Sequence, residues 1–221
     1  MHVVVNAAMS ADGKLSSRRR EQIRISGPDD FDRVDRLRAD SDAIMVGVGT
    51  VLADDPSLTV DETERLPRTE AEEPRQPARV VADSRGRTPP DARILDEAAP
   101  AYLLVSDAAP ADRIETLSDA GADIVTAGET RTDLSDALAA LEATGIETLM
   151  VEGGGELIYS LFAADLVDEL SVFVGPTVIG GRDAPTLVDG EGFVDAFPSL
   201  ELDGVEQLDE GVLLRWRVQP E

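Results

Sequence analysis

Short apolar runs rich in β-branched residues recur along the chain and predict the strands of a sheet. The runs are HVVV (2–5), AIMV (43–46), RVVA (79–82), YLLV (102–105), DIVT (123–126), TLMV (148–151) and ELSVFV (169–174). Runs this short, with apolar residues at successive positions, are typical of strands that are buried on both faces.

Helical patterns lie between several of these runs, at 28–40, 111–121 and 133–145. The first has Pro28 near its first turn and places Phe31, Val34 and Leu37 on one face. Strands that alternate with helices of this length favour a mainly parallel sheet with helices on both faces. The pattern therefore predicts an α/β fold.

The C-terminal part has a different pattern, because residues 200–218 contain two extended runs with turn signals and no helix between them. They predict an antiparallel strand pair that closes the sheet edge, with Leu213, Leu214 and Trp216 partly buried. Residues 61–79 are charged, contain prolines and lack periodicity. We interpret them as a surface excursion within a single domain that spans 1–221.

The charge balance narrows the choice of partners. The chain has 45 acidic and 20 basic residues and a net charge of −25, which opposes binding to nucleic acid or to an anionic membrane. Such an acid excess, with a single lysine, is typical of a cytoplasmic protein from a salt-accumulating organism. No apolar run approaches the length of a membrane span.

Cysteine is absent and His2 is the only histidine, which excludes a thiolate nucleophile, a disulfide framework and a cysteine-based zinc site. We expect no metal site. Acidic pairs could bind a metal, but in so acidic a chain they carry little information.

Two glycine clusters follow predicted strands. VEGGGE (151–156) predicts a strand, a tight turn and a helix N-terminus, where backbone N–H groups can bind an anion; a turn without a ligand is the alternative. In MVGVGTVLADDPSLTV (45–60), Thr50 and Asp54 would share one helix face, or simply mark a helix end. The chain has neither the usual dinucleotide fingerprint nor a Walker lysine.

Cationic residues offer possible phosphate contacts. In DSRGR (83–87), Ser84 and Arg85 follow a strand and could bind the 2′-phosphate of NADP, or could belong to a solvated loop. Arg38 could bind a substrate phosphate, or could pair with Asp35 on its own helix.

Several segments together resemble one family. AAMSADGKL, RLRADSDAIMVGVGTVLADDPSLTV, RVVADSRGR, LMVEGGGELIYSLF and LVDELSVFVGPTVIGG are similar, in this order, to the archaeal and fungal reductase of riboflavin biosynthesis. The resemblance implies a dihydrofolate-reductase-like fold, a homodimer and NADPH as hydride donor, with NADH possible. It also implies that the ribosylamino group of a diaminopyrimidinone phosphate opens to an imine, which is reduced to the ribitylamino product.

The resemblance also implies roles for individual residues. The cofactor-binding positions are Ala8, Thr50, Asp54, Ser84, Gly153, Gly154, Gly155 and Glu156. Arg85 is added to them from the pattern of DSRGR alone. The substrate-binding positions are Asp12, Lys14, Arg38, Leu58 and Glu152, and of these Asp12 and Glu152 are also candidates for catalysis. Lys14, the only lysine, would supply positive charge near bound phosphates, or would have no role in binding.

Two departures from the family limit this transfer. Bacterial relatives carry a lysine, assigned to ring opening, at the position of Asn6, and an arginine near the position of Asp61. A lysine-driven mechanism therefore does not transfer, and the proton donor is unassigned.

Three alternatives remain open. They are reduction of the deaminated pyrimidine, a dihydrofolate or pterin reductase, and a regulatory module that binds NADP without turnover. The chain has no deaminase signature.

Overall fold

A computed structural model describes residues 1–21, 23–67 and 75–219 and confirms each predicted strand. The strands are β1 (His2–Ser10), β2 (Ala43–Gly47), β3 (Ala78–Ala82), β4 (Ala101–Val105), β5 (Ala122–Thr126), β6 (Thr148–Gly153), β7 (Glu169–Gly175), β8 (Leu200–Leu208) and β9 (Gly211–Val218). The helices are α1 (Pro28–Ala39), α2 (Val48–Asp54), α3 (Ala111–Asp119), α4 (Leu134–Glu142) and α5 (Gly155–Ala163). Short 3-10 turns lie at Thr63–Arg65 and Arg93–Leu95.

The chain forms two compact units, and the first contains Met1 and Asp35–Met150. Its strands lie in the order β5-β4-β3-β2 and all pair in parallel. β2 and β3 are almost completely buried, as expected for parallel strands that are apolar at successive positions. The core of this unit includes Ile44, Val81, Leu103 and Leu117.

The second unit contains His2–Val34 and the chain from Val151 onward. Here β1 pairs in parallel with β7, β7 pairs antiparallel with β9, and β9 pairs antiparallel with β8. The predicted C-terminal strand pair is therefore confirmed. Trp216 lies opposite Leu170 on one side and Leu202 on the other, which accounts for its partial burial.

The predicted apolar face of α1 is wrong in one respect. Phe31 is 52% exposed, with the guanidinium of Arg24 5.7 Å from its ring centroid. The most buried side chains on this helix instead include the carboxylates of Asp30 and Asp35. Periodicity could not show this, because the burial of a carboxylate depends on its donors, and for Asp35 these are distant along the chain, as the backbone N–H of Asp61 is.

The range predicted as a surface excursion, 61–79, has described residues at both of its ends, and these belong to the first unit. The backbone N–H of Asp61 donates to the Asp35 carboxylate at 2.6 Å, which anchors the start of the segment. At its other end Arg79 belongs to β3 and is fully buried. Residues 68–74 of this range lie outside the described residues.

Candidate active site

Two predicted cofactor-binding segments lie at the same edge of the sheet in the first unit. α2 begins directly after β2, and Ser84 follows β3; Gly47 at the end of β2 pairs with Ala82 at the end of β3. Thr50 and Asp54 lie four residues apart on α2 and share a helix face, as predicted. Partial burial raises the pKa of the Asp54 carboxyl, because desolvation disfavours its charged form.

Hydroxyl groups that follow neighbouring strands meet at Ser84. Its Oγ accepts a hydrogen bond from the backbone N–H of Thr132 at 3.0 Å and lies 3.1 Å from Thr132 Oγ1. The Ser84 carbonyl accepts from the hydroxyl of Ser106 at 2.8 Å. Sequence reasoning missed Ser106 and Thr132; a hydroxyl residue directly after the LLV run was the available signal for Ser106.

The turn that carries Ser84 and Arg85 is held from inside the fold. The fully buried Asp83 carboxylate accepts from the N–H and the hydroxyl of Thr88, at 2.7 and 2.8 Å. Arg113 of α3 donates to the carbonyl oxygens of Gly86 and Thr88, at 2.8 and 2.7 Å. Arg85 itself is exposed, so a fixed backbone presents a cation to the solvent.

Arg38 and Leu58 lie close together in the first unit. Nη1 of Arg38 donates to the carbonyl of Thr59 at 2.9 Å. Leu58 has a φ of +50° and is 3% exposed, so its side chain packs in the core and only its backbone could reach a ligand. Asp55 also has a positive φ, and strained backbone of this kind is frequent at ligand sites.

The predicted strand, glycine turn and helix are confirmed in the second unit. Glu152 is half-buried near the end of β6, and Gly153 and Gly154 follow with φ values of +154° and +96°. Residues with side chains rarely adopt such conformations, so both positions require glycine. Glu156 is exposed in the first turn of α5.

Gly155, the first residue of α5, is enclosed by a distant segment of the same unit. A Cβ placed there would lie 2.6 Å from the carbonyl oxygen of Thr186 and 2.7 Å from a carboxylate oxygen of Asp189. The backbone N–H of Asp189 donates to the Gly155 carbonyl at 3.1 Å. The helix N-terminus is thus fixed by contacts that leave no room for a side chain.

Asp12 lies just after β1 and anchors the segment that follows β7. Its carboxylate accepts from the hydroxyl of Ser10 at 2.6 Å and from the N–H groups of Ile179 and Gly180 at 3.0 and 2.7 Å. The Ser10 bond, followed by the Ile179 N–H, lowers the pKa of Asp12 to about 2. A carboxyl group with so low a pKa is a poor proton donor near neutral pH, so this geometry favours a positioning role.

Asp12→Asn should therefore destabilise the protein at neutral pH. The folded-state pKa of about 2 lies below the ordinary value of 3.8, so the stabilisation is present above pH 3.8 and is lost as pH falls through about 2. We expect the melting temperature of the variant to lie below that of the wild type at pH 7, with the gap closing in acid. Thermal melts at matched pH test this; a gap that stays constant would contradict it.

Lys14 also contacts the chain after β7. Its Nζ donates to the carbonyl of Ala184 at 3.1 Å, and its backbone forms an antiparallel bridge with Thr186. An ammonium group has three donors, so this bond leaves capacity for an anion. Ala8 lies earlier on β1, opposite Phe173, and is partly exposed.

In each unit most of the predicted residues lie at or after strand ends; Arg38, on α1, and Ala8, within β1, do not. In the first unit α2, the Ser84 turn and the Leu58 loop lie after β2 and β3; in the second, Asp12 and the glycine turn follow β1 and β6. Within the described ranges, no group of three or more acidic or histidine side chains could hold a metal ion. No helix in the described part of the chain is both long enough and apolar enough to cross a bilayer.

A mainly parallel α/β sheet with glycine-rich and hydroxyl-bearing loops after its strands is typical of enzymes that bind anionic cofactors. The family model of the RibD C-terminal domain matches residues 1–214. The chain therefore belongs to the RibD C-terminal domain family, and it is a reductase of riboflavin biosynthesis.

One similar protein is the 2,5-diamino-6-ribosylamino-4(3H)-pyrimidinone 5′-phosphate reductase of Archaeoglobus fulgidus, 47% identical over 211 residues, which are 95% of this chain and 94% of that protein. Among solved structures, Acinetobacter baumannii RibD has a TM-score of 0.79 at 27% identity, over 99% of this chain and 58% of its own. Dihydrofolate reductase from Enterococcus faecalis, with a TM-score of 0.53 at 13% identity over 99% of this chain and 97% of its own, shares the fold. The predicted dihydrofolate-reductase-like fold is confirmed.

Proposed function

We propose that this chain uses NADPH to reduce 2,5-diamino-6-ribosylamino-4(3H)-pyrimidinone 5′-phosphate to its ribitylamino product. The observation that carries the proposal is the likeness to the archaeal reductase of that name along almost the whole of both chains. The geometry agrees with it: polar and glycine-rich segments that could bind two phosphorylated ligands follow the strand ends.

The residues present fit a dinucleotide cofactor. The cradle at Gly155, which a Cβ would fill, brings backbone close to the start of α5, where N–H groups and the helix dipole favour a pyrophosphate. We assign the pyrophosphate to the turn from Gly153 to Glu156 and the nicotinamide side to Ala8. When bound, NADPH supplies the hydride, while the protein binds, orients and excludes water.

Ser84 and Arg85 would bind the adenosine 2′-phosphate, which distinguishes NADPH from NADH. The contacts around Asp83 fix the backbone of the turn that carries Arg85, and charge-assisted hydrogen bonds to a phosphate are stronger than neutral ones. Thr50 and Asp54 would hydrogen-bond the cofactor from α2. We therefore expect a preference for NADPH over NADH.

Substrate binding is assigned to both positively and negatively charged side chains. Arg38 would bind the 5′-phosphate, since its carbonyl contact limits the motion of its long side chain. Lys14 would supply positive charge near the phosphates of the substrate or the cofactor. The half-buried Glu152 would accept hydrogen bonds from the amino groups of the pyrimidine. Leu58 would contribute backbone contacts, and Asp12 would hold the loop after β7.

NADPH oxidation, followed by absorbance in molar KCl, tests the reaction. The diamino substrate is compared with the deaminated uracil analogue and with dihydrofolate, and NADPH is compared with NADH. Fastest turnover with the diamino compound and NADPH would support the proposal. Faster turnover of either other substrate would identify a different reductase, and NADPH binding without any turnover would leave a regulatory module.

We also propose that the protein is a homodimer. Leu202 and Val205 of β8 are 56% and 60% exposed. Leu202 pairs with Trp216 of β9 and Val205 pairs with Leu214, and the bulge between Leu202 and Gly204 places both β8 side chains on the same face of the sheet. An apolar sheet face of this kind is typical of an interface between subunits. Light scattering in molar KCl should give twice the mass of the chain; a monomer would contradict the assignment.

A further inference from the structure

Asn6 is the only asparagine in the chain, and it lies in the middle of β1 with 5% of its surface exposed. Its register partner on β7 is Ser171, which is 6% exposed. Because side chains alternate along a strand, Asn6 and Ser171 lie on the same sheet face as Ala8, about 6–7 Å further along β1. Two polar side chains are thus buried next to a position assigned to the cofactor.

Arg33 of α1 fixes the orientation of both side chains. Its Nη2 donates to Asn6 Oδ1 at 2.9 Å, and its Nη1 donates to Ser171 Oγ at 3.2 Å. A guanidinium group has only donors, so Asn6 must present its carbonyl oxygen to Arg33 and turn its NH₂ group away. Ser171 likewise uses a lone pair toward Arg33 and keeps its own O–H for another acceptor.

The guanidinium itself is held from behind. Nε of Arg33 donates to the Asp30 carboxylate at 2.9 Å, and this carboxylate is 1% exposed. Ser26 donates to the other oxygen of Asp30 at 2.5 Å, and the backbone N–H of Asp30 donates to Asp209 at 3.0 Å. A buried ion pair with such support has little freedom to rearrange, so Arg33 acts as a rigid template.

The remaining donors of this arrangement are the NH₂ group of Asn6 and the O–H of Ser171. Within the described residues, neither the NH₂ of Asn6 nor the O–H of Ser171 has an acceptor. In the described ranges, two side-chain atoms are both inaccessible to solvent and without a hydrogen-bond partner, Arg79 Nε and Asp83 Oδ1. Asn6 Nδ2 has no partner but is not one of these two atoms, so it is accessible to solvent. Two oriented donors, on strands about 5 Å apart, are therefore available to one ligand oxygen.

We propose that Asn6 and Ser171 are catalytic donors that bind the ribosyl ring oxygen of the substrate while the ring opens, and that Arg33 is the residue that positions them. This inference rests on the proposed function. In ring opening the lone pair of the exocyclic nitrogen forms a double bond to C1′, and the bond from C1′ to the ring oxygen breaks. The electron pair stays on that oxygen, which takes a proton from solvent and becomes a hydroxyl group, while the exocyclic N–H releases its proton to solvent and leaves the neutral imine.

The donors stabilise the negative charge that develops on the oxygen before the proton arrives. Preorganised donors in a site with little water are effective because they need no reorganisation during the reaction. The positive charge of Arg33, transmitted through Asn6 and Ser171, polarises both donors further.

Asn6→Asp is the sharpest test, because aspartate has the same shape, keeps an oxygen for Arg33 and replaces the donor by an acceptor. We expect kcat to fall by about 100- to 1,000-fold, the range for loss of one such donor, with the Kd of NADPH changed less than twofold. Ser171→Ala should show a smaller loss of the same kind. Ser41→Ala, which removes a hydroxyl that bonds to the Leu37 carbonyl in the other unit, is the control and should leave kcat unchanged.

A second readout needs no cofactor. The α and β anomers of the substrate interconvert through the open imine, so NMR exchange measurements without NADPH report ring opening alone. Wild-type protein should accelerate this exchange, and Asn6→Asp should not. Arg33→Lys, which keeps the charge but not the forked geometry, should lose most of the acceleration because a point cation cannot hold both acceptors.

The outcomes separate the two proposals. A wild-type protein that reduces neither pyrimidine would refute the proposed function, while the anomer exchange would still test the donors. A wild type that turns over, with an Asn6→Asp variant as fast in kcat and in exchange, would overturn the donor assignment. If Asn6→Asp fails to fold, Ser171→Ala and Arg33→Lys decide by the same measurements.

Discussion

Gly155→Ala is expected to weaken NADPH binding by about 100-fold or more, the scale expected when a binding group is displaced by about 1 Å. The added Cβ would lie 2.6 Å from the carbonyl oxygen of Thr186, a backbone atom that cannot rotate away. It would also lie 2.7 Å from the Asp189 carboxylate. The start of α5 must therefore shift, and the N–H groups assigned to the pyrophosphate shift with it. Titration of NADPH fluorescence measures the change in Kd.

Gly49→Ala provides a matched control for the fold. Gly49 lies in α2 without a positive φ, and a Cβ there would meet nothing within 4 Å. Alanine in a helix should stabilise the protein by up to about 1 kcal/mol. A Gly155→Ala variant that is folded and binds NADPH as tightly as the wild type would show that the pyrophosphate does not bind at this turn.

The strands could be predicted because their signal is local. Runs such as AIMV and YLLV are apolar at successive positions, and only a strand buried on both faces satisfies such a run at this length. The same holds for the turn from Gly153 to Gly155, where consecutive glycines between a strand and a helix leave few alternatives. For these elements the physical requirement lies in neighbouring residues.

The rest depends on contacts between distant residues, which the sequence pattern does not show. Ser84 was predicted from its position after β3, but its partner Thr132 is 48 residues away. The same limit applies to α1, where the buried Asp35 carboxylate accepts from the backbone N–H groups of Asp61 and Glu62. Asp12 was assigned to the substrate from its motif, but its bonds from the backbone N–H groups of Ile179 and Gly180 in a distant loop could not be predicted.

Arg38→Met should raise the KM of the substrate by about 100-fold and leave the KM of NADPH unchanged. Loss of a charge-assisted hydrogen bond to a phosphate costs about 2–3 kcal/mol, which corresponds to this factor. Arg38 is suited to the role because its Nη1 bond to the Thr59 carbonyl restricts the side chain. Steady-state kinetics at saturating concentrations of the other ligand measure both constants.

The dephosphorylated substrate separates phosphate binding from loss of structure. If Arg38 binds the phosphate, the wild type should bind the dephosphorylated compound about as poorly as Arg38→Met binds the normal substrate, and the variant should lose most of the wild type's preference for the phosphorylated compound. Arg38→Lys keeps the charge without the forked donors, so its KM should fall between those of the wild type and Arg38→Met. If the variant binds both compounds poorly but prefers the phosphorylated one as strongly as the wild type does, the phosphate is bound elsewhere and Arg38 supports the Leu58 loop through Thr59. The ratio of the two KM values, rather than either value alone, therefore decides the role of Arg38.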